Sequence, residues 1–279
     1  MNEPHSQSSA PSSSAAADAI RVLFVGDVVG RPGRRCVQRM LRDLIAERHI
    51  DYVIVNVENA AGGMGVTPDV VREFDALPID CYSSGNHIWD KKEGLPLLDK
   101  HPKLLRPANY PEGNPGRGLH VGETTSGVKV ATINLEGRVF MKDLDSPFEI
   151  ADRLIESLDD DVKIVLVDLH AEATSEKQAM AYYLDGRATA VLGTHTHVPT
   201  ADERVLRGGT ALITDVGMTG PYDGIIGFQH AEVLERFKTQ LNVRLNVAKR
   251  DVRLAGAVVT AGLDGKARSI ERLLLPMPE

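Results

Sequence analysis

Short apolar runs alternate with amphipathic helical patterns along most of this chain, and five of the runs end beside a side chain that can titrate or bind a metal ion. Their continuous, β-branched composition is typical of strands buried in a parallel sheet. The five runs are Ile20–Val25, Tyr52–Val57, Ile79–Ser83, Val162–Leu169 and Ala188–Leu192. The alternation predicts an α/β fold, in which ligands bind beyond the carboxyl ends of the strands.

Helix signals lie between the strands. Apolar residues at helical spacing follow Pro32, and Thr67-Pro68-Asp69 has the form of an N-cap, a proline and an acid at a helix start. Capping boxes are predicted at Ser146–Glu149 and at Ser175–Gln178. Further strands are predicted at Val128–Leu135, Thr210–Thr214, Ala255–Thr260 and Arg268–Leu275, the last two as a hairpin around Asp264-Gly265.

One change of composition divides the chain, near residue 20. Residues 1–19 contain six Ser, five Ala and one apolar residue larger than Ala, Met1. Such a segment cannot bury enough apolar surface to offset the entropy of ordering it, so we expect a disordered tail. No similar change and no internal repeat follows. We therefore expect residues 20–279 to form one domain.

Charge and cysteine content exclude several classes of protein. The net charge of −7 argues against a basic nucleic-acid sheath, so no stable nucleic-acid complex is expected. No run of 18 apolar residues occurs, and residues 1–19 lack the basic and apolar regions of a secretory signal. Two cysteines are too few for a disulfide framework. We expect a cytoplasmic protein without membrane contact, and the sequence leaves a homo-oligomer open.

The polar side chains that follow the five strands form a mixed set of oxygen and nitrogen donors. They are Asp27, Glu58, Asn59, Asn86, His87, His170, His195 and His197. Imidazole suits Fe, Zn, Ni and Cu, whereas carboxylate suits Mg and Mn, so the mixture favours a borderline metal such as Fe or Mn. Two divalent or trivalent ions about 3.5–4 Å apart would use such a set, with one carboxylate bridging them.

The order of these motifs resembles that of the calcineurin-like metallophosphoesterases and, more closely, of the bacterial YmdB-type phosphodiesterases. The resemblance covers roughly residues 20–275. The matching segments are Gly26–Gly30, Glu58–Ala61, Gly85–Lys92, Arg106–Asn109, His170–Lys177, Gly193–His197 and Asp215–Pro221. The resemblance implies an α/β fold of the calcineurin-like metallophosphoesterase type, a four-layer α/β/β/α sandwich with two mixed sheets.

Two departures from the wider superfamily favour the narrower subgroup. The usual Asp-x-His after the first strand is here Asp27-Val28-Val29, so one histidine ligand is missing. The usual Gly-Asp of the second motif is here Val57-Glu58-Asn59, and Asn59 can supply an oxygen in place of that histidine. The YmdB-type pattern has both changes.

The resemblance also implies a role for each residue. One ion would be held by Asp27, Asn59 and His197, and the other by Asn86, His170 and His195. Glu58 would bridge the ions, and His87 would be the general acid for the leaving oxygen. The implied enzyme is a dinuclear metallophosphoesterase that hydrolyses a small phosphodiester, namely a 2′,3′-cyclic nucleotide such as 2′,3′-cAMP, by a metal-activated water. Residue types and spacing by themselves reach phosphate-ester hydrolysis.

Two other functions stay open at this point. The same two ions could serve a phosphomonoesterase or 5′-nucleotidase. Alternatively, the chain could be a metal- or nucleotide-binding regulatory protein, although a pure binder has no need of a positioned acid at His87. Asp90 either orients His87 or is a helix-starting acid. The glycine-rich Ala60–Gly65 lacks the spacing of a phosphate-binding loop, and we expect it to let backbone approach the metal site.

Overall fold

The computed structural model describes residues 19–278, so the predicted tail lies outside the described residues except for Ala19, the first residue of a strand. The strands are β1 (Ala19–Val25), β2 (Tyr52–Asn56), β3 (Cys81–Ser83), β4 (Leu119–Glu123), β5 (Lys129–Glu136), β6 (Ile164–His170), β7 (Ala190–Thr194), β8 (Arg204–Val205), β9 (Ala211–Ile213), β10 (Gly220–Pro221), β11 (Val252–Gly262) and β12 (Ala267–Pro276). The α-helices are α1 (Gly30–Arg48), α2 (Pro68–Asp75), α3 (Leu95–Lys100), α4 (Pro147–Glu156), α5 (Thr174–Tyr183) and α6 (His230–Thr239). Short 3-10 turns cover Asn86–Trp89 and Lys92–Gly94.

The strands form two six-stranded mixed sheets. In the first, the order is β10-β11-β1-β2-β3, and β12 pairs with β11. Its strands β1, β2 and β3 are parallel, whereas β11 runs antiparallel to β1. In the second, the order is β4-β5-β6-β7-β9-β8, with β5, β6, β7 and β9 parallel. The predicted hairpin of the last two strands is confirmed by the β11–β12 pairing.

Three apolar layers hold the sheets and helices together. Alternate residues of β1 point to opposite sides, with Val22 and Phe24 between the sheets and Leu23 and Val25 against the helical layer that includes α1. A third layer lies between the second sheet and the helices α4 and α5. The predicted α/β/β/α sandwich with two mixed sheets is therefore confirmed. Among residues 19–278, no helix is long and apolar enough to cross a membrane.

One helix starts differently from its prediction. The capping box expected at Ser175–Gln178 is wrong, because α5 begins at Thr174 after Ala173 and has no side-chain cap. Glu176 instead accepts hydrogen bonds from the backbone N–H groups of Arg138 (2.9 Å) and Val139 (3.3 Å). The Glu176 carboxylate therefore binds the loop after β5. This contact joins residues distant in sequence, so no local sequence pattern could indicate it.

The layer between the sheets should account for much of the stability. Ile54 of β2 is fully buried there, whereas Val121 of the edge strand β4 is 42% exposed. We expect Ile54→Ala to lower the free energy of unfolding by about 2–5 kcal/mol, because it leaves a cavity. Val121→Ala truncates a β-branched side chain at the exposed edge and should cost under about 1 kcal/mol. Urea unfolding of both variants checks this, and equal losses would contradict the assignment of Ile54 to the core.

Candidate metal centre

Strands from both sheets end at the same edge of the sandwich, and this brings the predicted site residues together. The backbone N–H of His195, after β7, donates to Asp27 Oδ2 after β1 at 3.1 Å. The side chain of Asn56 in β2 donates to Asp168 Oδ2 in β6 at 3.0 Å. Each of these two hydrogen bonds connects one sheet to the other, so the site lies between the two sheets.

The centre of the site is a buried group of three side chains. Asp27, Glu58 and His170 each place a ligand atom within 4.8 Å of the others. All three are buried, and His170 Nε2 lies 3.2 Å from Glu58 Oε1. Asp27 Oδ1 has no hydrogen-bond partner although it is buried. An unpaired buried carboxylate oxygen is costly, and a bound cation would satisfy it.

Two more predicted ligands surround the same nitrogen of His170. Asn86 Oδ1 and His195 Nδ1 are each 3.0 Å from His170 Nε2. Ligand atoms at right angles around an octahedral ion, with bonds of about 2.1 Å, lie about 3.0 Å from each other. The spacing of these atoms therefore fits one shared metal ion.

The remaining two predicted ligands, Asn59 and His197, also lie beside Glu58. Asn59 Nδ2 is 2.8 Å from Glu58 Oε1 and 3.1 Å from His197 Nε2. The amide of Asn59 thus presents nitrogen to its neighbours, and a half-turn of the amide would present its oxygen to a cation instead. The structure brings all seven predicted ligands to one place.

Hydrogen bonds on the outer side of each histidine fix which ring nitrogen faces the centre. His197 Nδ1 donates to the carbonyl of Ile226 at 2.9 Å, so its Nε2 lone pair faces inward. His195 Nε2 lies 3.1 Å from Glu172 Oε2, which leaves its Nδ1 lone pair facing inward. Such outer partners are typical of metal-bound histidines.

The third histidine is oriented by a two-step relay. Thr194 Oγ1 donates to Asp168 Oδ1 at 2.7 Å, and it therefore accepts from His170 Nδ1 at 2.9 Å. The Nε2 lone pair of His170 then faces the Nδ1 lone pair of His195 across 3.0 Å. Two lone pairs at this distance repel, unless a proton or a metal ion lies between them. The donor set therefore fits a metal ion.

Without a metal ion, the electrostatics depend on a protonated histidine. Burial lowers the pKa of His170, but the charge of Glu58 more than offsets this and raises the pKa to about 9. Burial raises the pKa of Glu58, but the charge of His170 more than offsets this and lowers it to about 2. Burial lowers the pKa of His195 to about 3, helped by the charge of His170. Burial raises the pKa of Asp27 well above its usual range. One proton on His170 thus neutralises part of the buried negative charge that a bound cation would neutralise.

His87 lies at the edge of this cluster. Its backbone N–H donates to Glu58 Oε2 at 3.1 Å, and its ring Nδ1 is 2.8 Å from Asp90 Oδ2. The side chain is about one-third exposed and lines a cavity of about 320 Å³ together with Glu58 and Asn59. Of the two interpretations of Asp90, the geometry favours the one in which it orients His87.

Sequence analysis missed the residues that support the ligands. Lys177 is almost fully buried, and its Nζ donates to Asp215 Oδ2 at 2.8 Å. The same carboxylate accepts from the backbone N–H (3.0 Å) and the hydroxyl (2.8 Å) of Thr196, which lies between His195 and His197. The only hint was that Lys177, Thr194 and Asp215 lie within segments that resemble the family; Asp168 gave none beyond its position near a strand end.

Two of the solved structures that match this chain cover nearly its whole length. A protein of Thermus thermophilus described as hypothetical has a TM-score of 0.87 and 43% identity, covering 93% of this chain and 100% of that one. A protein of Mycoplasma pneumoniae described as a novel phosphatase has a TM-score of 0.87 and 31% identity, covering 94% of this chain and 95% of that one. The fold and the site define a hydrolase of the metallophosphoesterase class.

Comparison of sequences narrows the class. The model of the YmdB-like protein family matches residues 23–273. A Bacillus subtilis protein named 2′,3′-cyclic-nucleotide 2′-phosphodiesterase is 48% identical over 257 residues, covering 92% of this chain and 97% of that protein. The chain belongs to the YmdB-like family, and the resemblance inferred from its motifs is confirmed.

The relay that orients His170 can be tested by removing one hydroxyl. Thr194→Val should free the Nδ1 proton of His170 from its acceptor and lower metal affinity about 10–100-fold. Thr132→Val is the matched control, because Thr132 is equally buried in the same sheet and its hydroxyl has no hydrogen-bond partner. Metal content after equilibration with buffered free metal checks this. Equal retention by both variants would show that the relay does not tune the site.

Proposed function

We propose that the chain is a dinuclear metal-dependent phosphodiesterase that hydrolyses 2′,3′-cyclic nucleotides such as 2′,3′-cAMP. The observation that carries the proposal is the convergence of three histidine lone pairs on buried carboxylates, since each ring is fixed by an acceptor on its outer side. A structural histidine cluster has no need of three inward lone pairs. The Bacillus subtilis relative, whose name states this activity, supports the substrate class.

The contacts support one assignment of ligands. Asp27, Asn59 and His197 would hold one ion. Asn86, His170 and His195 would hold the other. Glu58 would bridge them, because its Oε1 contacts both Asn59 (2.8 Å) and His170 (3.2 Å), one from each group. The mixture of imidazole and oxygen donors favours Fe or Mn.

Bound metal ions would polarise the phosphoryl oxygens and lower the pKa of the attacking water. The protein's own residues supply the rest. Asp90 accepts from His87 Nδ1, so the protonated His87 keeps its Nε2 proton for the leaving oxygen. In the balanced reaction, water adds its hydroxyl to phosphorus, the P–O2′ bond breaks, and O2′ takes the proton. The product carries a 3′-phosphate and a free 2′-hydroxyl.

The cavity at the site supports a small ligand. Its lining includes His87, His195 and His197 and the apolar Met64 and Phe228. A pocket with apolar walls and a few convergent polar groups is typical of a small-molecule site.

A second candidate is a phosphomonoesterase on the same metal site, which the Mycoplasma pneumoniae relative described as a phosphatase favours. Turnover of 2′,3′-cAMP and of a simple monoester by the same metal-loaded preparation separates the two. Faster turnover of the monoester would favour the phosphatase. Binding of the cyclic nucleotide without any turnover would favour a regulatory protein.

We further propose a cytoplasmic location. Cys36 and Cys81 are both buried free thiols, and unpaired cysteines suit a reducing compartment. Fractionation of the producing cells tests this, and recovery of the protein outside the cytoplasm would contradict it.

The acid role of His87 predicts a dependence on the leaving group. His87→Ala should lower kcat for 2′,3′-cAMP about 10²–10⁴-fold, because an alkoxide leaves poorly without a proton. For a nitrophenyl phosphodiester, whose leaving group needs no proton, the loss should be much smaller. His230→Ala, at an exposed histidine outside the site, is the control. Equal losses on both substrates would remove His87 from the acid role.

The bridging role of Glu58 predicts that metal and activity are lost together. Glu58→Ala should bind far less than two metal ions per chain and should have no measurable turnover, because both groups of ligands contact this carboxylate. Glu271→Ala removes an exposed glutamate and serves as the control. Elemental analysis with the 2′,3′-cAMP assay checks this. Two ions retained in Glu58→Ala would contradict a bridging role.

A further inference from the structure

A second and larger cavity lies beside the metal centre. Its volume is about 740 Å³, more than twice the roughly 320 Å³ of the cavity at the metal centre. Met64 and Phe228 line both cavities, and Gly62 lines the second one next to Gly63 of the first. The glycine-rich loop therefore forms the boundary between them. We call the second cavity the basic groove.

The charge of the basic groove is opposite to that of the whole chain. Five basic side chains line it: Arg31, Arg35, Lys91, Arg244 and Lys249. Among residues 19–278, no Asp or Glu lines the groove. In a chain of net charge −7, five adjacent cations are not an average surface. Such a lining raises the local concentration of anionic ligands.

The walls of the basic groove are held by defined contacts. Arg31 and Arg35 are one helical turn apart at the start of α1, so they lie on one face. Another part of the lining is the segment after α6. It is hydrogen bonded to the chain beside the metal site, because Gln229 N–H donates to Asn246 O (2.9 Å) and Ala248 N–H donates to Gly227 O (2.9 Å). The side chain of Val247 packs so closely against Gly30, at the start of α1, that a Cβ on Gly30 would contact it. The cations are therefore placed beside the metal centre by the fold.

A mononucleotide has no anionic group left over to bind the five cations of the basic groove. The single phosphate of a 2′,3′-cyclic nucleotide would be used at the metal centre, and no second anion would face the five cations. An RNA strand that ends in a 2′,3′-cyclic phosphate has one further phosphodiester for each preceding nucleotide. We propose that the basic groove binds the phosphate backbone of such a strand while its terminal cyclic phosphate is hydrolysed at the metal centre.

This inference rests on the proposed phosphodiesterase function and deepens it by naming the substrate class. The reaction is the same: water adds its hydroxyl to phosphorus, the P–O2′ bond breaks, O2′ takes a proton, and the strand ends in a 3′-phosphate. DNA lacks the 2′-hydroxyl and cannot form this end, so the strand is RNA. Phosphate contacts carry no base preference, so the groove reads a charged backbone of any sequence.

The test compares two substrates on the metal-loaded full chain: 2′,3′-cAMP and a five-nucleotide RNA ending in a 2′,3′-cyclic phosphate. We expect a higher kcat/KM for the RNA and a steep fall with salt, with a log–log slope of about −2 if three phosphates are contacted. The triple variant Arg35→Gln/Arg244→Gln/Lys249→Gln should lower the RNA-to-mononucleotide ratio of kcat/KM about tenfold or more. These side chains are exposed, so the variant should fold.

The control removes charge elsewhere. Lys163→Gln/Arg207→Gln changes two exposed cations before β6 and β9, at the ends of these strands away from the metal centre, and should leave the ratio unchanged. If 2′,3′-cAMP is hydrolysed but the RNA is not, or if the triple variant keeps the wild-type ratio, the basic groove does not bind the strand. If neither substrate is hydrolysed, the proposed function fails. Fluorescence anisotropy with a labelled RNA ending in a 3′-phosphate then still tests the groove, because the triple variant must bind it more weakly.

Discussion

The alignment of two sheets through a shared apolar layer is the constraint on which the site depends. Parallel strands of both sheets end at the same edge, and Asp27 from one sheet meets the backbone of His195 from the other at 3.1 Å. Neither sheet holds all of the predicted ligands, because Asp27, Glu58, Asn59 and Asn86 follow strands of the first sheet and His170, His195 and His197 lie at the ends of strands of the second. Any slip between the sheets would separate the two halves of the site.

The segment after β7 shows how this geometry is maintained against local strain. His195 and His197 have backbone φ angles of 102° and 67°. Residues other than glycine adopt such angles rarely and at a cost of about 1–3 kcal/mol each. Thr196 between the two histidines donates two hydrogen bonds to Asp215, and Lys177 neutralises that buried carboxylate. Gly193 must lack a side chain, since a Cβ there would lie 1.9 Å from the carbonyl of Thr214. The strain is offset by a buried ion pair and a close backbone contact.

Sequence was informative wherever a local pattern carried the information. The five strand ends and their donors were predicted because each is a short apolar run followed by a polar residue. The edge strand β4 and the helix α6 were missed. Both pack weakly, since no residue of β4 and only Val233 of α6 is buried, so neither needs the apolar face that a sequence pattern detects. The predicted start of α5 was wrong because the helix begins one residue earlier, at Thr174, and Ala173 at its N-cap has no side chain that can accept a hydrogen bond. Hydrogen bonds between residues distant in sequence, such as Lys177 and Asp215, produce no periodic pattern in the local sequence.

The net charge of the whole chain was a poor guide to how charge is distributed over the structure. A net charge of −7 indicates that no basic sheath covers the protein, yet part of that negative charge is the buried acids Asp27 and Glu58, which a bound cation would neutralise. The basic groove lies beside the cavity that Glu58 lines, since Met64 and Phe228 line both. Because charges screen over about 8–10 Å in physiological salt, a ligand at the groove responds to its five cations more than to distant surface acids. If the acids hold metal as proposed, a negative site at one end and the five cations at the other would suit an anionic strand whose end is at the metal.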